Sequence, residues 1–105
     1  MPKPQYQACI DACVDCAKLC QECADMCFGE NAECAKLCVD CSDACWSCAS
    51  ACCRDSRCVG IFCGGCAEIC ERCAAECEKM DTEICKRCAE ACRRCAEECR
   101  KMAAA

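Results

Sequence analysis

The chain has no histidine. The imidazole metal ligand and the commonest general base are therefore both missing. A mixed cysteine–histidine zinc site cannot be built, and no side chain stands out as a catalytic base or nucleophile. Aromatic residues are almost absent: Tyr6, Phe28, Trp46 and Phe62 are the whole set. A nucleic-acid surface needs stacking rings beside its positive charge, and none lie there. No run of about 18 apolar residues occurs, so the sequence offers no membrane-spanning helix. The start of the chain lacks the pattern of an export signal. These absences point to a cytoplasmic protein, in a compartment where thiols stay reduced. No segment alternates with period two, which excludes a β reading. Large apolar residues are scarce too: Ile10, Val14, Leu19, Phe28, Leu37, Val39, Trp46, Val59, Ile61, Phe62, Ile69, Ile84 and four methionines. A 105-residue chain with so thin a core needs disulfides, metal or oligomerisation.

What fills the gap is cysteine, at 24 positions. The last helical stretch reads C-K-R-C-A-E-A-C-R-R-C-A-E-E-C, from Cys85 to Cys99. Its thiols are three or four residues apart, which places them on one face of an α-helix. The pattern C-x2-C-x3-C-x2-C-x3-C also runs from Cys13 to Cys27, Cys38 to Cys52 and Cys63 to Cys77. One helix per repeat with short connections predicts an all-α fold, an up-down-up-down antiparallel four-helix bundle with a cysteine-lined core. Residues 1–105 read as a single domain, with helices at about 5–28, 32–53, 57–80 and 82–102.

The seams are Cys9, Cys13, Cys16, Cys20, Cys23 and Cys27; Cys34, Cys38, Cys41, Cys45, Cys48 and Cys52; Cys63, Cys66, Cys70, Cys73 and Cys77; and Cys85, Cys88, Cys92, Cys95 and Cys99. Cys53 and Cys58 lie beside the seams, at adjacent helix ends, and read as a rim. Small shoulders flank the first seam (Ala12, Ala17, Ala24) together with Ile10, Leu19 and Met26, so neighbouring helices can approach closely. Pro2 and Pro4 mark a short lead. Gly29 suits the left-handed stop of the first helix, Asn31 the cap of the second, and Asp81 or Thr82 the cap of the fourth. Gly60, Gly64 and Gly65 weaken the start of the third helix, so either that end is mobile or something packs on it. Residues 103–105 are expected to fray.

Thiols at this spacing suit a soft ion. Cu(I) prefers thiolate, and each of the eight C-x2-C pairs (Cys13/Cys16 and its counterparts) could grip one ion, with facing helices adding a third ligand. Zinc wants closed tetrahedra, which parallel helical seams do not obviously form. Iron–sulfur clusters usually take ligands from loops. Thioredoxin-type catalysis needs C-x2-C at an exposed helix N-terminus, whereas these pairs sit in helix interiors. Twelve disulfides would need an oxidising compartment. Two further readings stand beside copper: a metallothionein-like zinc or thiol redox buffer, and a scaffold joined through charge. The charge is uneven. Residues 1–53 carry three Lys and eight acids, whereas 54–105 carry ten of each sign. The scaffold reading docks the acidic first half on basic helix 4 of a neighbour.

The fourfold cysteine ladder, with its Cys85–Cys99 ending, resembles the bacterial copper storage protein (Csp) family over nearly the whole chain. The resemblance implies a cysteine-lined bundle, a non-enzymatic store and detoxifier of many Cu(I) ions, and a homotetramer. It implies cytosolic location for members without an export signal, and a copper donor or acceptor that the sequence does not identify. All 24 cysteines are then candidate ligands. Family members can carry His or Met at the mouth through which Cu(I) passes. Here Met26, Met80 and Met102, with Cys53 and Cys58, are the candidates for that part.

Overall fold

The structure, a computed structural model, describes residues 3–104. A single 3-10 turn, Pro4–Tyr6, leads into α1 (Gln7–Cys27). There follow α2 (Ala32–Cys53), α3 (Val59–Cys77) and α4 (Glu83–Ala104), with no strand among the described residues. The helices pack in a ring, α1 on α2, α2 on α3, α3 on α4 and α4 on α1. The bundle measures 40 × 18 × 18 Å.

The ends of the helices follow from single residues. Gly29 takes φ 91°, a conformation that costs glycine little. It lets the Glu30 and Asn31 N–H groups close on the Cys27 carbonyl. The Asn31 side chain then accepts the Cys34 N–H at 3.1 Å, satisfying a free donor of α2. At the other end of α2, Asp55 takes the left-handed role at φ 51°. Thr82, rather than Asp81, caps α4 by accepting the Cys85 N–H at 3.4 Å.

Four helix ends differ from the periodicity. The first helix loses its opening turn to the 3-10 segment, where the Tyr6 and Gln7 N–H groups close three residues back on the Lys3 and Pro4 carbonyls. Helix α3 spans 59–77, not 57–80. The Ser56 hydroxyl accepts the Cys58 N–H at 3.0 Å and holds that residue outside the helix. At its far end Lys79 and Met80 donate to Glu76 and Cys77, which tightens the chain into turns. Helix α4 continues through Ala103 and Ala104 instead of fraying. The Cα positions of Gly60 and Gly64 face Ala103, so this C-terminal turn is what packs over the glycine-rich start of α3.

The core is sulfur and methyl. All 22 seam cysteines are buried. Around them lie buried alanines from every helix, among them Ala17, Ala51, Ala67, Ala74 and Ala91. Ser42 is the one buried polar side chain among the described residues, and Gln21 donates to its hydroxyl at 3.0 Å. Met26, counted with the shoulders of α1, is instead 59% exposed.

Candidate metal centre

Each helix contributes one row of sulfur, and the four rows meet along the bundle axis. Most close sulfur pairs cross between helices: Cys20 to Cys88 at 3.6 Å, Cys41 to Cys70 at 3.6 Å, Cys13 to Cys95 at 3.6 Å and Cys48 to Cys63 at 3.4 Å. Along a single helix the close pairs are C-x3-C: Cys16/Cys20, Cys23/Cys27, Cys66/Cys70 and Cys95/Cys99, at 3.8–3.9 Å. The C-x2-C pairs that the sequence singles out are not the close ones. Residues four apart differ by about 40° around a helix, residues three apart by about 60° in the other sense.

The rows also close into four-sulfur groups. Cys16/Cys20/Cys41/Cys92, Cys16/Cys45/Cys70/Cys95, Cys13/Cys66/Cys95/Cys99, Cys9/Cys13/Cys48/Cys99 and Cys9/Cys48/Cys52/Cys63 each keep all Sγ atoms within 4.8 Å of one another. Four sulfurs do come together, although parallel seams were not expected to form the closed tetrahedra that zinc wants. One sulfur serves more than one group, so the array is a mesh rather than a row of separate sites. At 4.0 Å or less, the mesh runs from Cys88 and Cys20 to Cys52 and Cys63. Two outlying groups lie at one end of the bundle: Cys23, Cys27 and Cys85 between α1 and α4, and Cys34, Cys38, Cys73 and Cys77 between α2 and α3.

The thiols do not share one acidity. Burial pushes Cys27 and Cys52 up to about 12 and drives Cys34 up as well. In the middle the sulfurs polarise one another. Cys16 is driven down and Cys20 driven up, each chiefly through the other.

The predicted rim stands apart. Cys53 and Cys58 are exposed and belong to no close sulfur pair, so the structure does not bring them to the other 22. They flank the α2–α3 turn, beside buried Cys52 and Cys63. Met102 packs half-buried on the core at that same end. Met80 packs on the core at the opposite end, and Asn31 Nδ2 donates to its sulfur at 3.1 Å. Sequence reasoning missed that contact, because it joins residues 49 apart.

The basic residues of α4 are largely engaged within the chain. Arg93 clamps Glu78 at 2.8 and 3.0 Å, and Arg100 clamps Glu71 at 2.7 and 3.3 Å. Arg94 meets Asp15 and Lys86 meets Asp81. These pairs hold the carboxyls of Glu71 and Glu78 below their ordinary range. The charge expected to bind a neighbour's acidic half thus ties α4 to its own α3 and α1.

A closed bundle of reduced thiols, without an exposed nucleophile–base pair in its core, is the architecture of a protein that holds thiophilic metal. A family profile described as copper storage protein matches residues 2–104. The chain belongs to that family. Among solved structures it is similar to apo-Csp3, copper storage protein 3 from Bacillus subtilis, at 43% identity and TM-score 0.90, covering 93% of this chain and 98% of that one. The Cu(I)-bound form of that protein is 41% identical with TM-score 0.88, covering 94% of this chain and 98% of that one. A cytosolic copper storage protein from Streptomyces lividans, in a form with five coppers, is 31% identical with TM-score 0.90, over 96% and 93% of the two chains. No match was found among curated proteins.

Proposed function

We propose that this chain stores Cu(I) inside the bundle as one four-helix unit, with the seam thiolates as ligands, and so keeps the ion away from other thiols. The observation that carries the reading is the spacing of the sulfurs. With metal–thiolate bonds of about 2.3 Å, two sulfurs in line on one ion stand about 4.6 Å apart, and three around one ion about 4.0 Å. The core pairs lie at 3.4–4.0 Å. They suit an ion held by three sulfurs or, at about 3.8 Å around a tetrahedron, by four, and the sharing of one sulfur between groups suits a bridged cluster of Cu(I) ions. Isolated two-sulfur sites would hold about 11 ions on the 22 buried thiols, and sulfurs that bridge two ions raise that number.

Cu(I) passes along the mesh by exchange. One thiolate lets go as the next engages, and each step is short because each sulfur has neighbours within 4.0 Å. Loading displaces thiol protons, so acid opposes it. The exposed Cys53 and Cys58, with Met102 on the core beside them, suit the landing of an ion handed over by a copper donor. Met80 offers a thioether at the other end, whereas Met26 points to solvent on α1. The role is storage rather than catalysis. The place is the cytoplasm, a reading supported by the cytosolic relative and by the lack, among the described residues, of any helix able to cross a membrane.

The assembly is a homotetramer. Supporting it is an apolar groove of about 540 Å³ between the end of α1 and the start of α2, lined in part by Ala24, Phe28, Ala32, Ala35 and Val39. Phe28 is 83% exposed, a cost that a neighbouring subunit would remove.

An anaerobic Cu(I) titration of the fully reduced protein, against a strong competing chelator and with Zn(II) in parallel, tests the function. Tight uptake of more than about ten Cu(I) per chain is expected. Saturation at one or two ions, with Zn(II) bound more tightly, overturns the reading.

A further inference from the structure

The end of the bundle that carries Cys53 and Cys58 is shut. Cys9 is 1% exposed, and Cys52 and Cys63 have no exposed surface, although they are the outermost seam thiols there. An ion landing on the rim cannot reach the mesh until something at this end moves. Most of the material over it belongs to long helices. The exceptions are the α2–α3 turn and the 3-10 turn that precedes α1.

The 3-10 turn is held differently from the rest. Tyr6 packs half-buried on the core. Its hydroxyl donates to Asp55 Oδ1 at 3.0 Å. Lys3 Nζ meets the other oxygen of the same carboxylate at 3.0 Å. Asp55 is the left-handed residue of the α2–α3 turn, between the two exposed thiols. The start of α1 has little other support. It has no side-chain cap and no acidic residue in its first turn. One exposed carboxylate thus fastens a short, weakly supported segment across the sulfur core at the one rim that bears free thiols.

We propose that Lys3–Tyr6 is a latch, and that its release from Asp55 admits Cu(I) from the rim to Cys9, Cys52 and Cys63. The inference rests on the storage reading for its purpose, but the opening itself is a property of the metal-free chain. Tyr6 is the moving part and Asp55 the catch. Neither is a metal ligand, and the core is unaltered by its position.

The test uses the full-length, reduced protein under argon. The variants are Tyr6→Phe, which removes one hydrogen bond and keeps the ring, Tyr6→Ala, which removes the plug, and Asp55→Asn, which keeps a residue tolerant of the left-handed conformation. Each is pulsed with iodoacetamide, and labelling is read thiol by thiol by mass spectrometry. Cys27 and Cys34, at the far end, are the internal reference. Asp55→Asn and Tyr6→Ala should raise labelling of Cys9 and Cys52 about tenfold over the reference, with Tyr6→Phe between them and the parent. Uptake from a Cu(I)–bathocuproine disulfonate complex should speed up in the same order, with the final number of ions unchanged. Unchanged labelling of Cys9 and Cys52 overturns the latch. So does an equal rise at Cys27 and Cys34, which marks general loosening. If labelling follows the expected order but no Cu(I) is taken up, the latch stands and the storage reading falls.

Discussion

Replacing Cys99 by alanine separates a shared mesh from a ladder of two-sulfur sites. Cys99 lies 3.7 Å from Cys9 and 3.8 Å from both Cys13 and Cys48, and 3.9 Å from Cys95 on its own helix. It belongs to at least two four-sulfur groups. If each ion sat between two private sulfurs, deleting one thiol would cost at most about one ion. If sulfurs are shared, deleting Cys99 disturbs both groups and should cost about two ions. Cys53→Ala is the control, because that thiol touches no other, and capacity should stay unchanged. Cys27→Ala, in the small Cys23/Cys27/Cys85 group, should cost about one ion. The assay is anaerobic Cu(I) titration checked by native mass spectrometry. The fold should survive, because Cys→Ala removes a single heavy atom and the alanine shoulders remain. The same small loss for Cys99, Cys27 and Cys53 would refute the sharing argument.

Four further outcomes follow from the geometry. Cys27 and Cys52 lie at about 12 against an ordinary 9.0, so the folded chain keeps protons that the unfolded chain sheds. Their contribution is fully present below pH 9 and lost as the pH rises toward 12, so melting of the metal-free bundle, followed by circular dichroism, should fall over that window. At acid pH the carboxyls of Glu71 and Glu78 act the opposite way: their help is present above their ordinary 4.5 and disappears as the pH falls through their depressed values, a loss that high salt should blunt. Cu(I) affinity, measured by chelator competition, should weaken steadily as the pH is lowered, and an affinity that ignores protons would rule out thiolate ligation. Asn31→Ala removes the cap of α2 and the contact to Met80; it should cost about 1 kcal/mol, or about 4–8 °C in Tm for a domain of this size.

Much of this fold can be read from spacing alone. Cysteines three and four residues apart define the buried face of every helix, and Gly29 and Asn31 mark the first turn before any coordinates are known. Spacing also set Cys53 and Cys58 aside, and they are the two exposed thiols. What spacing cannot show is which rows face one another. It therefore favours pairs along one helix, whereas the closest sulfurs lie across helices, as in Cys48/Cys63 and Cys20/Cys88. The same limit hid the tie from Tyr6 to Asp55 and the seat of Ala103 over Gly60 and Gly64. Each joins parts of the chain that only the closed ring brings together. Asp55 was unreadable for a further reason: an aspartate in a polar turn gives no sign that it will take the backbone shape usually left to glycine.

The break in the sulfur mesh near Met80 has a consequence for traffic. Within the large connected part, an ion can wander by short swaps and every berth communicates with every other. The Cys23/Cys27/Cys85 and Cys34/Cys38/Cys73/Cys77 groups make their close pairs among themselves, as side rooms off the main hall. Ions parked there would exchange late and leave last, so a partly emptied molecule would keep a slow reserve beside a quick one. The deposit would then drain in two phases, although every berth is made of the same thiol.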